Sequence, residues 1–171
     1  MISKKLQDAI NTQINKELYS EYMYISIQAW FANQNLDGFA TWMNVQGQEE
    51  RFHAMKFYNY LIERGGKVEL KAIEQPPIDF KTPLNAFKMA LKHEEFVTKS
   101  INELMELAIK EKDHSARGLL QWYVDEQVEE EASFDKVVHR LEMIKTDPHA
   151  LFMLDNELGT RVFVPPVTAA Q

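Results

Sequence analysis

One helical face can be traced through the start of the chain by alternating steps of three and four residues: Leu6, Ile10, Gln13, Glu17, Ser20, Tyr24, Ile27 and Phe31. Ser3 stands where an N-cap belongs. Asn33-Gln34-Asn35-Leu36-Asp37-Gly38 has the composition of a turn. A second stripe follows, Phe39, Met43, Gln46, Glu50, His53, Phe57 and Leu61, and Gly65-Gly66 closes it. Residues 67–81 carry no helical period and include Pro76-Pro77. Thr82-Pro83 then supplies a cap and a first-turn proline. The third stripe is Phe87, Leu91, Glu94, Thr98, Ile101, Met105 and Ala108. A break at Lys112-Asp113 precedes the fourth: Leu120, Tyr123, Gln127, Glu130, Phe134, Val137, Leu141 and Ile144. Asp147-Pro148 opens a short fifth helix with Leu151, Leu154 and Leu158 on one side, closed by Gly159.

These elements predict an all-α chain of one domain, residues 1–171: a four-helix bundle over about 3–145, a fifth helix over about 148–158 and an irregular tail over 159–171. Each short turn makes an antiparallel pair. The link between helices two and three, about 17 residues, extends to roughly 50–60 Å at about 3.3–3.6 Å per residue. A helix of about 28 residues is roughly 42 Å long. The link therefore reaches from one end of the bundle to the other and leaves helices two and three parallel, as a long crossover.

All four stripes are apolar at their ends and polar in the middle: Glu17; Glu50 and His53; Glu94; Gln127 and Glu130. One such glutamate is readily explained as solvated or paired. The joint pattern is not, because 17, 50 and 53 become 94, 127 and 130 on adding 77, so both hairpins present the same three points at the same depth. No lysine or arginine lies on any of the four stripes, and buried carboxylates without a partner cost several kcal/mol or become protonated. A pair of metal ions neutralises such a group. Oxygen donors with one imidazole suit iron(II) or manganese(II), with zinc able to compete. Glu50 and His53, three residues apart, share a helix face, as in the di-metal carboxylate bundles.

Composition narrows the chemistry. The chain has 171 residues, a formal net charge of −7 and no cysteine. Thiolate nucleophiles, disulfides, iron–sulfur clusters and thiolate zinc sites are excluded. The acidic balance speaks against nucleic acid as a partner. The start lacks the apolar core of a signal peptide and no run is long enough to span a membrane, which gives a cytoplasmic expectation with no membrane partner.

Glu17-Leu18-Tyr19-Ser20, Glu49-Glu50-Arg51-Phe52-His53-Ala54-Met55, Lys92-His93-Glu94 and Leu120-Gln121-Trp122-Tyr123-Val124-Asp125-Glu126-Gln127-Val128-Glu129-Glu130-Glu131 resemble the ferroxidase segments of prokaryotic non-haem ferritins. The likeness extends over essentially the whole chain and implies the ferritin-like bundle. It also implies oxidation of Fe(II) by dioxygen or peroxide at a di-iron centre inside each subunit, with the product stored as a ferric mineral. By this resemblance Glu17, Glu50 and His53 hold one iron; Glu50 bridges to a second, held by Glu94 and Glu130 with Gln127 close by; and Tyr24 stands beside them. Glu49, Glu126 and Glu129, sharing Glu130, correspond to a third iron position. They are otherwise an acidic outer face. A homo-oligomeric shell of about 24 copies is implied as well. The position after Glu50 is Arg51, where haem-binding relatives carry methionine, so no haem is expected. His93, His114, His139 and His149 lie off the stripes and are expected at the surface or at an interface, and Trp122 as packing. An alternative function on the same bundle is a di-iron peroxidase or oxygenase without storage.

Overall fold

A computed structural model describes residues 2–165. Among these residues five helices occur in order: α1 (Lys4–Asn33), α2 (Asp37–Glu63), α3 (Pro83–Lys110), α4 (His114–Ile144) and α5 (Pro148–Leu158). The capping residues act as the sequence predicts. The hydroxyl of Ser3 accepts from Leu6 N at 3.1 Å, that of Thr82 from Asn85 N at 3.1 Å, and Asp147 from His149 N at 2.9 Å. Each capping side chain satisfies a backbone donor that the first helical turn leaves without a partner.

The ends of α1, α2 and α3 share one device. A residue with positive φ follows each helix: Asn35 at 56°, Gly65 at 69° and Lys112 at 57°. The next residue's N–H then returns to a carbonyl of the last turn: Leu36 to Phe31 at 3.1 Å, Gly66 to Leu61 at 2.8 Å, Asp113 to Ala108 at 2.9 Å. Asn35 and Lys112 are themselves 77 apart, so the turns of the two hairpins keep the register of the polar positions.

Contacts between the hairpins set the topology. Along α1 and α3, Gln13 meets Ser100, Ser20 meets His93, and Phe31 meets Phe87, so these helices run antiparallel. Along α2 and α4, Trp42 meets Phe134, Gln46 meets Glu130 and Phe57 meets Tyr123, again antiparallel. With α1–α2 and α3–α4 each a hairpin, α2 and α3 are parallel, and residues 64–82 form the crossover without a regular element among them. A bidentate pair, Arg64 to Asp113 at 3.0 and 2.8 Å, ties the end of α2 to the cap of α4.

Two apolar clusters divide the interior. One, towards α5, includes Phe31, Phe39, Trp42, Met43, Phe87 and Phe134. The other, at the opposite end, includes Leu6, Ile10, Phe57, Leu61, Ile101 and Leu120. The polar middle lies between them. On α3 the structure corrects the sequence reading: Ala90, Val97 and Leu104 are buried, whereas Leu91, Thr98 and Met105 are only half-buried. Both sets belong to one face about 100° wide. The small Ala90 takes the inward position, and Leu91 packs from the flank.

Helix α5 closes one end. Leu154 and Leu158 are buried, and Asp155 accepts from Phe39 N at 2.9 Å. The approach to α2 is close enough to require glycine: a Cβ on Gly38 would lie 1.7 Å from the backbone oxygen of Asp155. Gly38→Ala should therefore displace α5. Overpacking of this kind costs about 1–3 kcal/mol, and each kcal/mol moves Tm by about 2–4 °C at this chain length. A thermal melt should show a fall of several degrees, and limited proteolysis should show new cleavage between α4 and α5. A parent-like Tm with an unchanged cleavage pattern would contradict the docking described.

Candidate metal centre

At mid-height the four helices turn six polar side chains inward: Glu17 from α1, Glu50 and His53 from α2, Glu94 from α3, Gln127 and Glu130 from α4, all buried. The three-and-four spacing that predicts the stripes is what aims them. Ligand-type atoms of Glu17, Glu50 and His53 lie within 4.8 Å of one another, and so do those of His53, Glu126 and Glu130. The imidazole stands between these groups, its Nδ1 3.6 Å from Glu50 Oε2 and its Nε2 3.9 Å from Glu126 Oε1.

Several neighbours fix individual oxygens. Gln13 Nε2 donates to Glu17 Oε1 at 2.9 Å, and Ser100 holds Gln13 in turn at 2.5 Å. The Tyr24 hydroxyl donates to Glu94 Oε1. Gln127 Nε2 donates to Glu94 Oε2 at 3.2 Å and lies 3.2 Å from the Thr98 hydroxyl, so the amide orients its neighbour. Gln46 Nε2 donates to Glu130 Oε2 at 2.5 Å. What these donors leave over is informative. Glu17 Oε2 and both oxygens of Glu50 are buried with no hydrogen-bond partner. Burial without a partner disfavours the charged form. Desolvation pushes Glu17 and Glu94 up to about 7, and it holds Glu50 and Glu130, each facing other carboxylates, well above the usual carboxylate range. His53 falls to about 3, chiefly through burial and secondarily through Lys56, so its imidazole is neutral and free to ligate. Partnerless carboxylate oxygens beside a neutral imidazole fit a divalent cation.

The outer carboxylates are less uniform. Glu126 is half-buried and raised by desolvation and then by Glu129 and Glu49. Glu129 is exposed and belongs to neither convergent group. Glu49 is half-buried and accepts from Arg161 Nη2 at 2.5 Å. Arg161 follows Gly159 in a segment without period, so spacing along the chain does not point to it. Gln13 and Gln46 were visible as polar positions on the stripes, but their role as donors to Glu17 and Glu130 was not. His93 is not fully exposed. It is half-buried, its Nε2 is 2.7 Å from the Ser20 hydroxyl, and the rings of Tyr19, Tyr24 and Phe96 surround it. His114, His139 and His149 are exposed as expected. Trp122 packs edge-on against His53, centroids 5.5 Å apart, with Lys56 over its face at 4.3 Å. Among the described residues, no helix is long and apolar enough to cross a membrane.

Comparison with known proteins agrees with this geometry. The sequence profile of the ferritin-like domain matches residues 7–144. A bacterial non-haem ferritin from Staphylococcus aureus is 40% identical over 163 residues, 95% of this chain and 98% of the relative. One from Campylobacter jejuni is 40% identical over 155 residues, covering 91% and 93%. Among solved structures, the open-pore ferritin of Archaeoglobus fulgidus superposes with a TM-score of 0.94 at 49% identity, covering 95% of this chain and all of that one. A form of that ferritin engineered to be closed gives 0.95 at 49% identity, covering 96% and 100%. Identity sustained from end to end, on a bundle with this crossover and this inward polar layer, shows that the chain belongs to the ferritin family, within its prokaryotic non-haem branch.

Proposed function

We propose that this chain oxidises Fe(II) with dioxygen at a di-iron centre within each subunit and stores the ferric product as a mineral in a multi-subunit shell. The observation that carries the reading is the pair of buried glutamates, Glu17 and Glu50, whose free oxygens converge on a neutral His53. In this reading Glu17, Glu50 and His53 bind one substrate iron and Glu94 and Glu130 the other, with Glu50 between them. Gln127 and Tyr24 hold the Glu94 carboxylate in position. Two Fe(II) give up one electron each to dioxygen, which with two protons leaves as hydrogen peroxide. The apolar clusters above and below exclude bulk water from the carboxylate layer. Glu49, Glu126 and Glu129 offer a third iron an outer position beside Glu130. Assembly is supported by apolar residues left outside the bundle, notably Tyr22 and Ile25 on α1 and Leu70 and Ile78 on the crossover.

Three outcomes are expected. Glu50→Gln or His53→Ala should abolish the rapid aerobic oxidation of two Fe(II) per subunit in stopped-flow traces. The metal-free Glu50→Gln protein should nevertheless melt no lower than the parent, because the change removes a buried carboxylate that has no partner. Parent-like traces would remove these residues from the site.

The second outcome concerns protons. Glu17 and Glu94 titrate near 7 in the folded chain, against an ordinary 4.5. The folded metal-free protein therefore holds protons that the unfolded chain releases across that interval, so its stability falls as pH rises from about 4.5 to about 7. Metal binding requires the deprotonated carboxylates. Anaerobic addition of zinc(II) at pH 6.5 in weak buffer should release protons, and fewer as the starting pH is raised. No release at pH 6.5 would show the carboxylates already ionised.

The third concerns assembly. Light scattering should give a particle of about 24 times the 20.0 kDa chain mass that retains iron after aerobic loading. A monomer or dimer that oxidises iron without retaining it would favour a di-iron peroxidase or oxygenase instead.

A further inference from the structure

A single cation from outside the four-helix bundle reaches the outer carboxylates. The Arg161 guanidinium donates from Nη2 to Glu49 Oε2 at 2.5 Å and from Nη1 to Gln46 Oε1 at 2.8 Å, and it lies 4.4 Å from the centroid of the Trp42 ring. Position and aim follow from the fold. The segment after α5 begins at Gly159, where a Cβ would come 3.2 Å from Gly38 Cα, so the docked helix delivers Arg161 to one place on α2. The bond to Gln46 has a consequence further in. An amide has one accepting and one donating end, and Arg161 takes the accepting end. The donating end is thereby turned to Glu130 Oε2. One guanidinium thus engages Glu49 directly and Glu130 through a single amide.

We propose that Arg161 is a tethered cation that holds the Glu49 arm of the outer metal position, so that an ion binding there must displace the guanidinium and loosen the segment following α5. This rests on the di-metal reading given under Proposed function and adds a regulator to it. Four charges decide the competition: the carboxylates of Glu49 and Glu126, the guanidinium, and Lys56, which lies over Trp122 near Glu126. A metal ion and Arg161 cannot share Glu49 without mutual repulsion. Because such coupling is reciprocal, docking of α5 weakens the outer ion and the outer ion weakens the docking.

The test is anaerobic calorimetric titration of the assembled metal-free protein with zinc(II), which neither changes oxidation state nor quenches tryptophan emission by redox chemistry. The parent should take two ions tightly and a third weakly. Arg161→Gln should leave the ion at Glu17, Glu50 and His53 unchanged and tighten the third by about tenfold or more, since a unit charge a few ångströms away in a half-buried setting shifts an equilibrium by that order. Arg161→Lys keeps the charge and should stay near the parent. A second readout follows Trp42 alone, in a background with Trp30 and Trp122 changed to phenylalanine. Its emission should move to longer wavelength with the third equivalent, as the guanidinium leaves the ring, and not with the first two. In that background, Glu49→Gln should show the shifted emission before any metal is added. An unchanged or weaker third ion in Arg161→Gln, or Trp42 emission that ignores the third equivalent, would overturn the proposal while leaving the di-metal reading intact. A parent that fails to take two ions tightly would overturn both.

Discussion

Like charges forced together out of water govern this bundle. Four carboxylates enter a layer that apolar clusters close above and below, and the donors supplied from inside are too few to satisfy them. Helix α1 spends an inward position on Gln13 to hold Glu17, and α2 spends one on Gln46 to hold Glu130. Tyr24 and Gln127 both serve Glu94. Of the four, Glu50 alone has neither oxygen held by one of these donors. The arrangement makes sense when a divalent cation supplies the missing positive charge. Without one, protons must take its place, which is why burial drives the carboxylates upward while it drives His53 downward.

Much of this was legible in the sequence because helical period and capping are local rules. Ser3, Thr82 and Asp147 cap where their neighbours say they should, and the inward aim of Glu17, Glu50, His53, Glu94, Gln127 and Glu130 follows from spacing alone. The crossover followed from its length. What escaped were features set by approach in three dimensions. On α3, two sets of residues share one broad face, and only packing chooses Ala90 over Leu91. His93 is one step off the stripe, yet Ser20 and three aromatic rings enclose it. Arg161 lies beyond the last helix, where no period operates, and its destination depends on how closely α5 meets Gly38.

The two hairpins are near-copies in layout but not in chemistry. The 77-residue offset that relates the polar positions also relates the two left-handed turns at Asn35 and Lys112, so depth in the bundle is set by where each turn begins. Within that shared frame the first hairpin presents a carboxylate, Glu50, where the second presents the amide Gln127. The amide is bonded to Glu94, whereas the carboxylate at the matching position is left open.

The seam between the hairpins is clamped at both ends and polar at its waist. Phe31 against Phe87 and Trp42 against Phe134 hold one end; Phe57 against Tyr123 and the fork of Arg64 on Asp113 hold the other. Between them, Glu17 and Glu50 of one hairpin face Glu94 and Glu130 of the other. While the waist is without a cation, protons held on these carboxylates relieve the repulsion between them. As pH rises through about 7 and Glu17 and Glu94 lose their protons, outward load builds at mid-height in the metal-free bundle, along the line where α1 meets α3 and α2 meets α4. A divalent cation bound among these carboxylates would remove that load at its source, far from either pair of turns.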